Sequence, residues 1–544
     1  MPDTRKKIKL ARSTSVAPFG SSLVKFPSIG GAFRFFLNQH PDKPFLTYFE
    51  GKVKITSYTF EQFDERCRRF GRFLTLAGVK QGDRIATAGT NHPDLILLYF
   101  TAWRLGLSVV PINLGEDDHR LHYILEHGKP KLVAVLSEDV GRIKSLNPSV
   151  PVIETGKMHA QKEEEFTFDD ALNRHQQEAF IVYTSGTTGN PKGVLLSQYQ
   201  LLVDSLFISG WNKISQNDTF LCVLPVHHVN GTVVTHLTPL MTGSSIVLLK
   251  KFSDEAFFHI VKSESITISS VVPTLLQFLV QAGKSEKLKS TKLRHLICGA
   301  GPLTVELALK FEDKFGIPVI HGYGLSETTC YSCFLPVDQN KAEHKSWLSD
   351  YGFPSIGVPL PCNEMDIQDD LGKSLPEGEK GEIVIRGHNV MDGYFLNPDA
   401  NKSAFEFGWF RSGDEGFFKT GNDGQKYFFI TGRFKELIIR GGVNLSPLEI
   451  DEVIGRCPGV KAGIAVGFEN DWYGEEVGAF VVKSNPDLTE TEVLDFCKTQ
   501  LPFSKSPKVV LFTDSLPVTS TGKYQRNKVK ALFAEFKETQ FRGK

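Results

Sequence analysis

Short β-branched runs alternate with amphipathic stretches through the first four hundred residues of this 544-residue chain, and that alternation confines it to the α/β class. Residues 181–183, 219–224, 245–249, 266–272, 296–298 and 319–320 read as buried strands. Residues 199–208 and 305–315 read as helices between them, the second opened by Thr304 as N-cap two residues after Pro302. From Pro376 the texture becomes glycine-punctuated β-structure, as in 381–386 and 424–430. A third texture begins near Gly432, with a helix expected over 447–454 and strands over 463–467 and 478–483. The charged link at 431–436 is the natural boundary. No fixed-period repeat or low-complexity tract interrupts the pattern.

Composition excludes several function classes. With 41% hydrophobic and 23% charged residues the chain is ordinary globular material. Its 62 basic and 62 acidic residues cancel, which removes any global electrostatic case for nucleic-acid binding. The zero conceals an acidic middle: residues 1–41 carry seven cations against Asp3, and residues 501–544 nine against Asp514, Glu535 and Glu538. The apolar stretch from Leu95 to Trp103, between Asp94 and Arg104, is too short to cross a bilayer. No apolar segment follows the basic run at 5–12, so no signal peptide is expected. The N-terminus is expected to be a frayed, solvated tail in a cytoplasmic protein, with an organelle transit peptide as the alternative. Eight scattered cysteines are no disulfide framework, and Cys330-x-x-Cys333 lacks a second pair at zinc spacing.

The most informative segment is Tyr183-Thr-Ser-Gly-Thr-Thr-Gly-Asn-Pro-Lys-Gly-Val194, directly after a strand. Its glycines allow tight turns that expose N–H groups, its hydroxyls are donors, and Lys192 adds a point charge. Together they make a cradle for polyphosphate. The spacing of Gly186, Gly189 and Lys192, with Pro191 before the lysine, is not that of a Walker A loop.

At these residues the chain resembles the adenylate-forming superfamily of acyl-CoA synthetases, nonribosomal adenylation domains and luciferases. Further motifs follow in the family's order: Pro225-Val-His-His-Val-Asn-Gly231, Gly299-Ala-Gly-Pro-Leu303, Gly322-Tyr-Gly-Leu-Ser-Glu-Thr328, Trp409-Phe-Arg-Ser-Gly-Asp414, Gly432-Arg-Phe-Lys-Glu436 and Pro517-Val-Thr-Ser-Thr-Gly-Lys523. The resemblance implies an α/β fold with a large N-terminal body of two α/β subdomains plus a β-rich barrel-like part, and a small mobile α+β C-terminal domain. It divides the chain into an extension (1–28), an adenylation domain (29–433) and a lid (434–544) hinged near Lys435.

The implied activity is that of an AMP-forming acyl-CoA synthetase. ATP and a carboxylic acid, most simply a fatty or other apolar acid, would give an acyl-adenylate whose acyl group passes to CoA. Two anions must meet, so the protein's work is positioning and charge neutralisation. By resemblance Thr184, Ser185, Gly186, Thr187, Thr188, Gly189 and Lys192 would hold phosphates, and Glu327 with Thr184 would bind Mg2+. Gly301, Pro302, Gly322, Tyr323, Gly324 and Ser326 would line the nucleotide site, with Tyr323 against adenine. Asp414 and Arg433 would take the ribose, and Lys523 would stabilise charge in the first transition state. His228, Val229, Asn230, Gly231, Gly299 and Ala300 would form the acyl pocket, whose glycines leave room for a chain or ring and which offers no charge to a second carboxylate. After rotation about Lys435, Gly441 and Gly442 would face the pantetheine of CoA. An acyl or peptidyl carrier protein as acceptor in trans remains an alternative. A luciferase-like oxygenase is disfavoured by Ile439, where those enzymes carry lysine.

Overall fold

The strand that ends in Thr184 and the one that begins at Lys192, at the two ends of the glycine- and hydroxyl-rich motif, pair antiparallel within a seven-stranded sheet. The computed structural model describes residues 2–146, 150–162, 166–184, 190–283, 288, 290–519 and 524–541. In spatial order the sheet runs Gly393–Tyr394, Lys192–Ser197, Glu178–Thr184, Ser108–Ile112, Arg84–Ala88, Leu132–Val135 and Val152–Glu154.

A larger sheet of thirteen strands lies beside it. Its parallel half is Val319–Tyr323, His295–Cys298, Ile268–Val271, Thr219–Cys222, Ser245–Leu249 and Pro44–Glu50. Beyond Val319–Tyr323 the sheet turns antiparallel through Cys333–Phe334 and Ser355–Pro359. It continues into Lys426–Arg433, Phe410–Thr420, Gly381–Gly387 and Asn363–Gln368. The glycine-punctuated segment is thus an edgewise continuation of the α/β sheet. Strand ends differ from expectation where proline intervenes. The strand expected to reach 272 stops at Val271, because Pro273 has no N–H to donate and opens the helix Pro273–Ala282. The helix Val305–Phe315 starts as read, with Thr304 Oγ1 accepting from Leu307 N at 3.2 Å, and ends at Gly316 in the left-handed region.

The apolar stretch after Asp94 is the buried helix Pro93–Leu105, capped by His92 and stopped by Gly106 at φ 72°. Among the described residues no helix is long and apolar enough to cross a membrane. Phe100 joins Phe33, Phe45 and Phe63 in an aromatic cluster with centroids 5.0–5.8 Å apart. The helix carries a charge into this core. Arg104 is wholly buried and bonds Asp170 through Nε (2.9 Å) and Nη2 (2.7 Å), with Nη1 2.7 Å from Asp64. Its guanidinium also lies 3.8 Å from the Phe168 ring centroid.

The N-terminus is not a frayed tail. Residues Pro2–Ala11 form a helix, and residues 12–21 run as a strap over the body. Ser15 donates from N (2.6 Å) and Oγ (2.5 Å) to Glu364 Oε1, Arg12 pairs with Asp392, and Ala11 is fully buried. The sequence hid this because each anchor is a single residue whose partner lies hundreds of positions away.

A separate five-stranded sheet contains Val443–Leu445, Ile438–Arg440, Gly474–Lys483 and Val460–Asn470, with Val509–Thr513 parallel to the third. The helices Pro447–Arg456 and Glu490–Gln500 contribute Ile450, Ile454 and Val493 to one core of this unit. Phe533 packs a second core with Ile464, Val466 and Phe468. Asp451 and Arg526 form a buried bidentate pair of 3.0 and 2.5 Å that ties the helix to the C-terminal segment.

Removing one partner of a buried ion pair strands the other charge and costs about 3–5 kcal/mol. Arg104→Met should therefore lower unfolding stability by about that amount, measured by denaturant titration; an unchanged midpoint would contradict the assigned role.

Candidate active site

A cavity of about 1360 Å3 opens between the body and the C-terminal unit. Its floor is the switch from parallel to antiparallel pairing at Val319–Tyr323, where an open α/β sheet leaves a crevice at its carboxyl edge. His321, Gly322, Tyr323, Gly324 and Leu325 line it in succession.

Asp414, almost completely buried, organises the far wall. Tyr323 Oη donates to its Oδ2 at 2.7 Å, and Arg433 Nε donates to Oδ1 at 2.7 Å. The geometry follows from the meander: Asp414 and Arg433 face each other across paired strands. Coulombic attraction to Asp414 raises the Arg433 guanidinium above its ordinary range, and burial with the nearby carboxylate pushes the Tyr323 phenol up. Arg433 Nη2 also donates to Oδ2 at 3.4 Å, which leaves the spare acceptor capacity on Oδ1.

A second cluster stands just past Leu325, outside the cavity lining. Ser326–Thr328 is a 3₁₀ turn that buries Glu327, whose Oε1 accepts from Tyr394 Oη at 2.9 Å. Lys192 Nζ lies 4.9 Å from the Tyr394 ring centroid, and Thr184 Oγ1 donates to Lys192 O at 3.4 Å. Immediately after, Thr329 sits at φ 65°, ψ −63°, and Cys330 N bonds Thr328 O at 2.8 Å. This is a γ-turn of the rare positive-φ hand on a β-branched residue, so strain is stored beside Glu327. Among the described residues no group of three or more His, Cys, Asp or Glu could hold a metal. A buried carboxylate whose hydrogen bond among the described residues is made by Oε1 fits Mg2+ that draws its other ligands from phosphate and water.

The sequence-predicted residues divide accordingly. Gly301, Pro302, Gly322, Tyr323, Gly324, Asp414, Arg433 and Ala300 lie on the cavity wall. Thr184, Lys192, Ser326 and Glu327 belong to or adjoin the second cluster. Ser185, Gly186, Thr187, Thr188, Gly189 and Lys523 lie outside the described residues. The segments flanking Lys523 are placed, however: Val518, Thr519 and Tyr524 line the cavity, and Val518 bridges Tyr524.

Most of the expected acyl pocket is elsewhere. His228, Val229, Asn230, Gly231 and Gly299 do not line the cavity. Asn230 is buried, donating to Tyr331 Oη (3.1 Å) and accepting from Ser270 Oγ (2.7 Å). The glycines serve close packing rather than acyl room. A Cβ on Gly231 would come within 2.3 Å of Pro225 O, one on Gly299 within 2.7 Å of Gly322 O, and one on Gly324 within 2.1 Å of Cys330 O. His227, not His228, faces the cavity. Its Nε2 is buried without a hydrogen-bond partner, and burial lowers its pKa to about 4, keeping it neutral. The wall also carries Lys250 and Lys251, charges absent from the motif-based pocket. Gly441 and Gly442, both at positive φ, form the turn of the Ile438–Arg440 and Val443–Leu445 hairpin, away from the cavity.

Tyr394 and His227 escaped sequence reasoning. Tyr394 lies in no glycine-rich motif, and His227 loses to its neighbour only through backbone direction ahead of the π-helix Asn230–Leu237. The C-terminal unit also reaches the body through Glu452, whose Oε2 accepts from Val305 N at 3.0 Å at a helix N-terminus. Lys435 is exposed in the 3₁₀ turn Phe434–Glu436 that follows the last strand of the body.

The chain belongs to the AMP-binding enzyme family, matched over residues 33–395, with the AMP-binding enzyme C-terminal domain matched over residues 449–523. It is 32% identical over 511 residues to oxalate–CoA ligase of Arabidopsis thaliana, covering 91% of this chain and 96% of that protein. It is 33% identical over 502 residues to sulfoacetate–CoA ligase of Cupriavidus necator, covering 90% and 95%. ATP-bound MatB from Rhodopseudomonas palustris aligns with a TM-score of 0.82 at 28% identity, over 94% of this chain and 100% of that one. The chain is accordingly an AMP-forming carboxylate–CoA ligase, with ATP, a carboxylic acid and CoA as substrates.

Asp414→Asn replaces charge-assisted hydrogen bonds worth about 1.5–3 kcal/mol each. Acid-dependent pyrophosphate release should fall by roughly 10- to 100-fold; an unchanged rate would remove Asp414 from the site.

Proposed function

We propose that this ligase joins ATP to a short carboxylic acid bearing a second polar or anionic group, then passes the acyl group to CoA after its C-terminal unit rotates about Lys435. The observation that carries the choice of acid is the pair of cations Lys250 and Lys251 on the cavity wall. A plain alkyl chain would place apolar surface beside them, whereas an anionic or polar substituent would pair with them. Relatives named for oxalate and sulfoacetate support this reading over the fatty acid expected from the motifs.

In the first half-reaction Tyr323 packs the adenine, and Asp414 with Arg433 takes the ribose hydroxyls. The cradle from Thr184 to Lys192 holds the β- and γ-phosphates. Glu327 and Thr184 are the residues that would hold Mg2+, which when bound neutralises phosphate charge. Lys523, which precedes Tyr524 in the sequence, stabilises the charge shared by carboxylate and α-phosphoryl oxygens. The position of Thr519 and Tyr524 on the cavity supports an adenylate-forming arrangement. In the second half-reaction the Gly441–Gly442 hairpin takes the place of Lys523, its bare backbone allowing close passage of the pantetheine arm.

Lys523→Ala should abolish adenylate formation while thioester synthesis from supplied acyl-adenylate continues; equal loss of both refutes the assignment. The substrate is tested by pyrophosphate release across short dicarboxylic, sulfonated, aromatic and fatty acids, with and without CoA. Short acids with a second polar group should react, and Lys251→Met should raise their KM by roughly tenfold. Turnover confined to fatty acids would overturn the proposal.

A further inference from the structure

Residues 388–394 run between the N-terminal strap and the loop that carries Glu327, bonding to both. Towards Glu327, Met391 N donates to Glu327 O at 2.8 Å and Tyr394 Oη donates to Glu327 Oε1 at 2.9 Å. Thr329 Oγ1 donates to Asn389 O at 2.7 Å, and Asn389 Nδ2 donates to Tyr331 O at 3.0 Å. The strained turn after Glu327 is therefore held in place by this segment.

Towards the strap, Asp392 pairs with Arg12, and His388 Nε2 donates to Ala17 O at 2.9 Å. Tyr199 Oη lies 2.7 Å from His388 Nδ1 and 3.1 Å from Ser21 O, extending the seam. Arg12 is 9% exposed and the Asp392 side chain 30%, so this is a partly buried ion pair. Gln200, fixed by its capping box with Ser197, donates to Val390 O at 2.5 Å and to Asp392 Oδ1 at 3.2 Å. Asp392 thus sits between the two groups that grip Glu327, one residue after Met391 and two before Tyr394.

We propose that Arg12 is a positioning residue for the phosphate end of the site: its pairing with Asp392 sets the segment whose Met391 N–H and Tyr394 hydroxyl orient the Glu327 carboxylate. Arg12 touches no substrate. Without its cation, Asp392 becomes a half-buried charge held, among the described residues, only by Gln200 that moves towards solvent, drawing the short strand Gly393–Tyr394 with it. Groups that orient a metal-facing carboxylate act at second hand, and their loss typically weakens metal affinity by about 10- to 100-fold. The inference rests on the reading of Glu327 as the residue facing Mg2+–ATP.

The test uses the full-length chain and two readouts: the Mg2+ dependence of pyrophosphate release, and Mn2+–ATP binding followed by electron paramagnetic resonance. Arg12→Gln should raise the half-saturating Mg2+ concentration about tenfold and weaken Mn2+–ATP binding in parallel, with the KM for the acid unchanged. Arg12→Lys should restore part of both. Asp392→Asn, which leaves the Ser15 and His388 anchors in place, should reproduce the shift if Arg12→Gln folds poorly. In a Tyr394→Phe background Arg12→Gln should add little, since both act through one carboxylate. A lower melting temperature with unchanged Mg2+ and Mn2+–ATP behaviour would reduce Arg12 to a structural role and overturn the proposal, as would fully multiplicative effects with Tyr394→Phe. A fully active Glu327→Gln would instead sink the reading of Glu327 itself.

Discussion

A carboxylate buried where two strand pairings meet is the point on which the site is built. Asp414 can remain in so dry a place only because Tyr323 and Arg433 donate to it from opposite sides. Those donors come from different parts of the large sheet: Tyr323 ends its parallel half, and Arg433 ends the last antiparallel strand before the C-terminal unit. The requirement to satisfy one buried charge therefore joins the cavity wall, the meander and the end of the body's last strand in a single hydrogen-bonded unit. Arg433 binds on the body side while the next residues begin the 3₁₀ turn containing Lys435. That turn starts where the anchored backbone ends.

Much of this was legible in the sequence. Strands in the parallel half declared themselves through continuous β-branched runs, because strands covered on both faces need no polar alternation. Thr304 and Pro447 marked helix starts through capping chemistry that is local by nature. The nucleotide motifs were readable because glycines and charged residues cluster at turns.

The acyl pocket was not legible in the same way. Whether His227 or His228 faces the cavity depends on a backbone direction that no local pattern encodes. The glycines of the motifs, read as open space, are filled to within less than 3 Å by neighbouring backbone. A residue type that permits close approach serves a packed wall as well as an empty one. Tyr394 was invisible for another reason: its role arises from pairing of Gly393–Tyr394 with Val194 and Leu195, a contact far from either in sequence.

The strap illustrates the longest reach of such contacts, with Ala17 and His388 separated by 371 residues. During synthesis the chain's first residues emerge long before their binding surface exists. At typical elongation rates of about 5–20 residues per second, that interval is on the order of tens of seconds. A basic helix and a half-apolar strap must wait in water for that time, which the like charge of the helix suits.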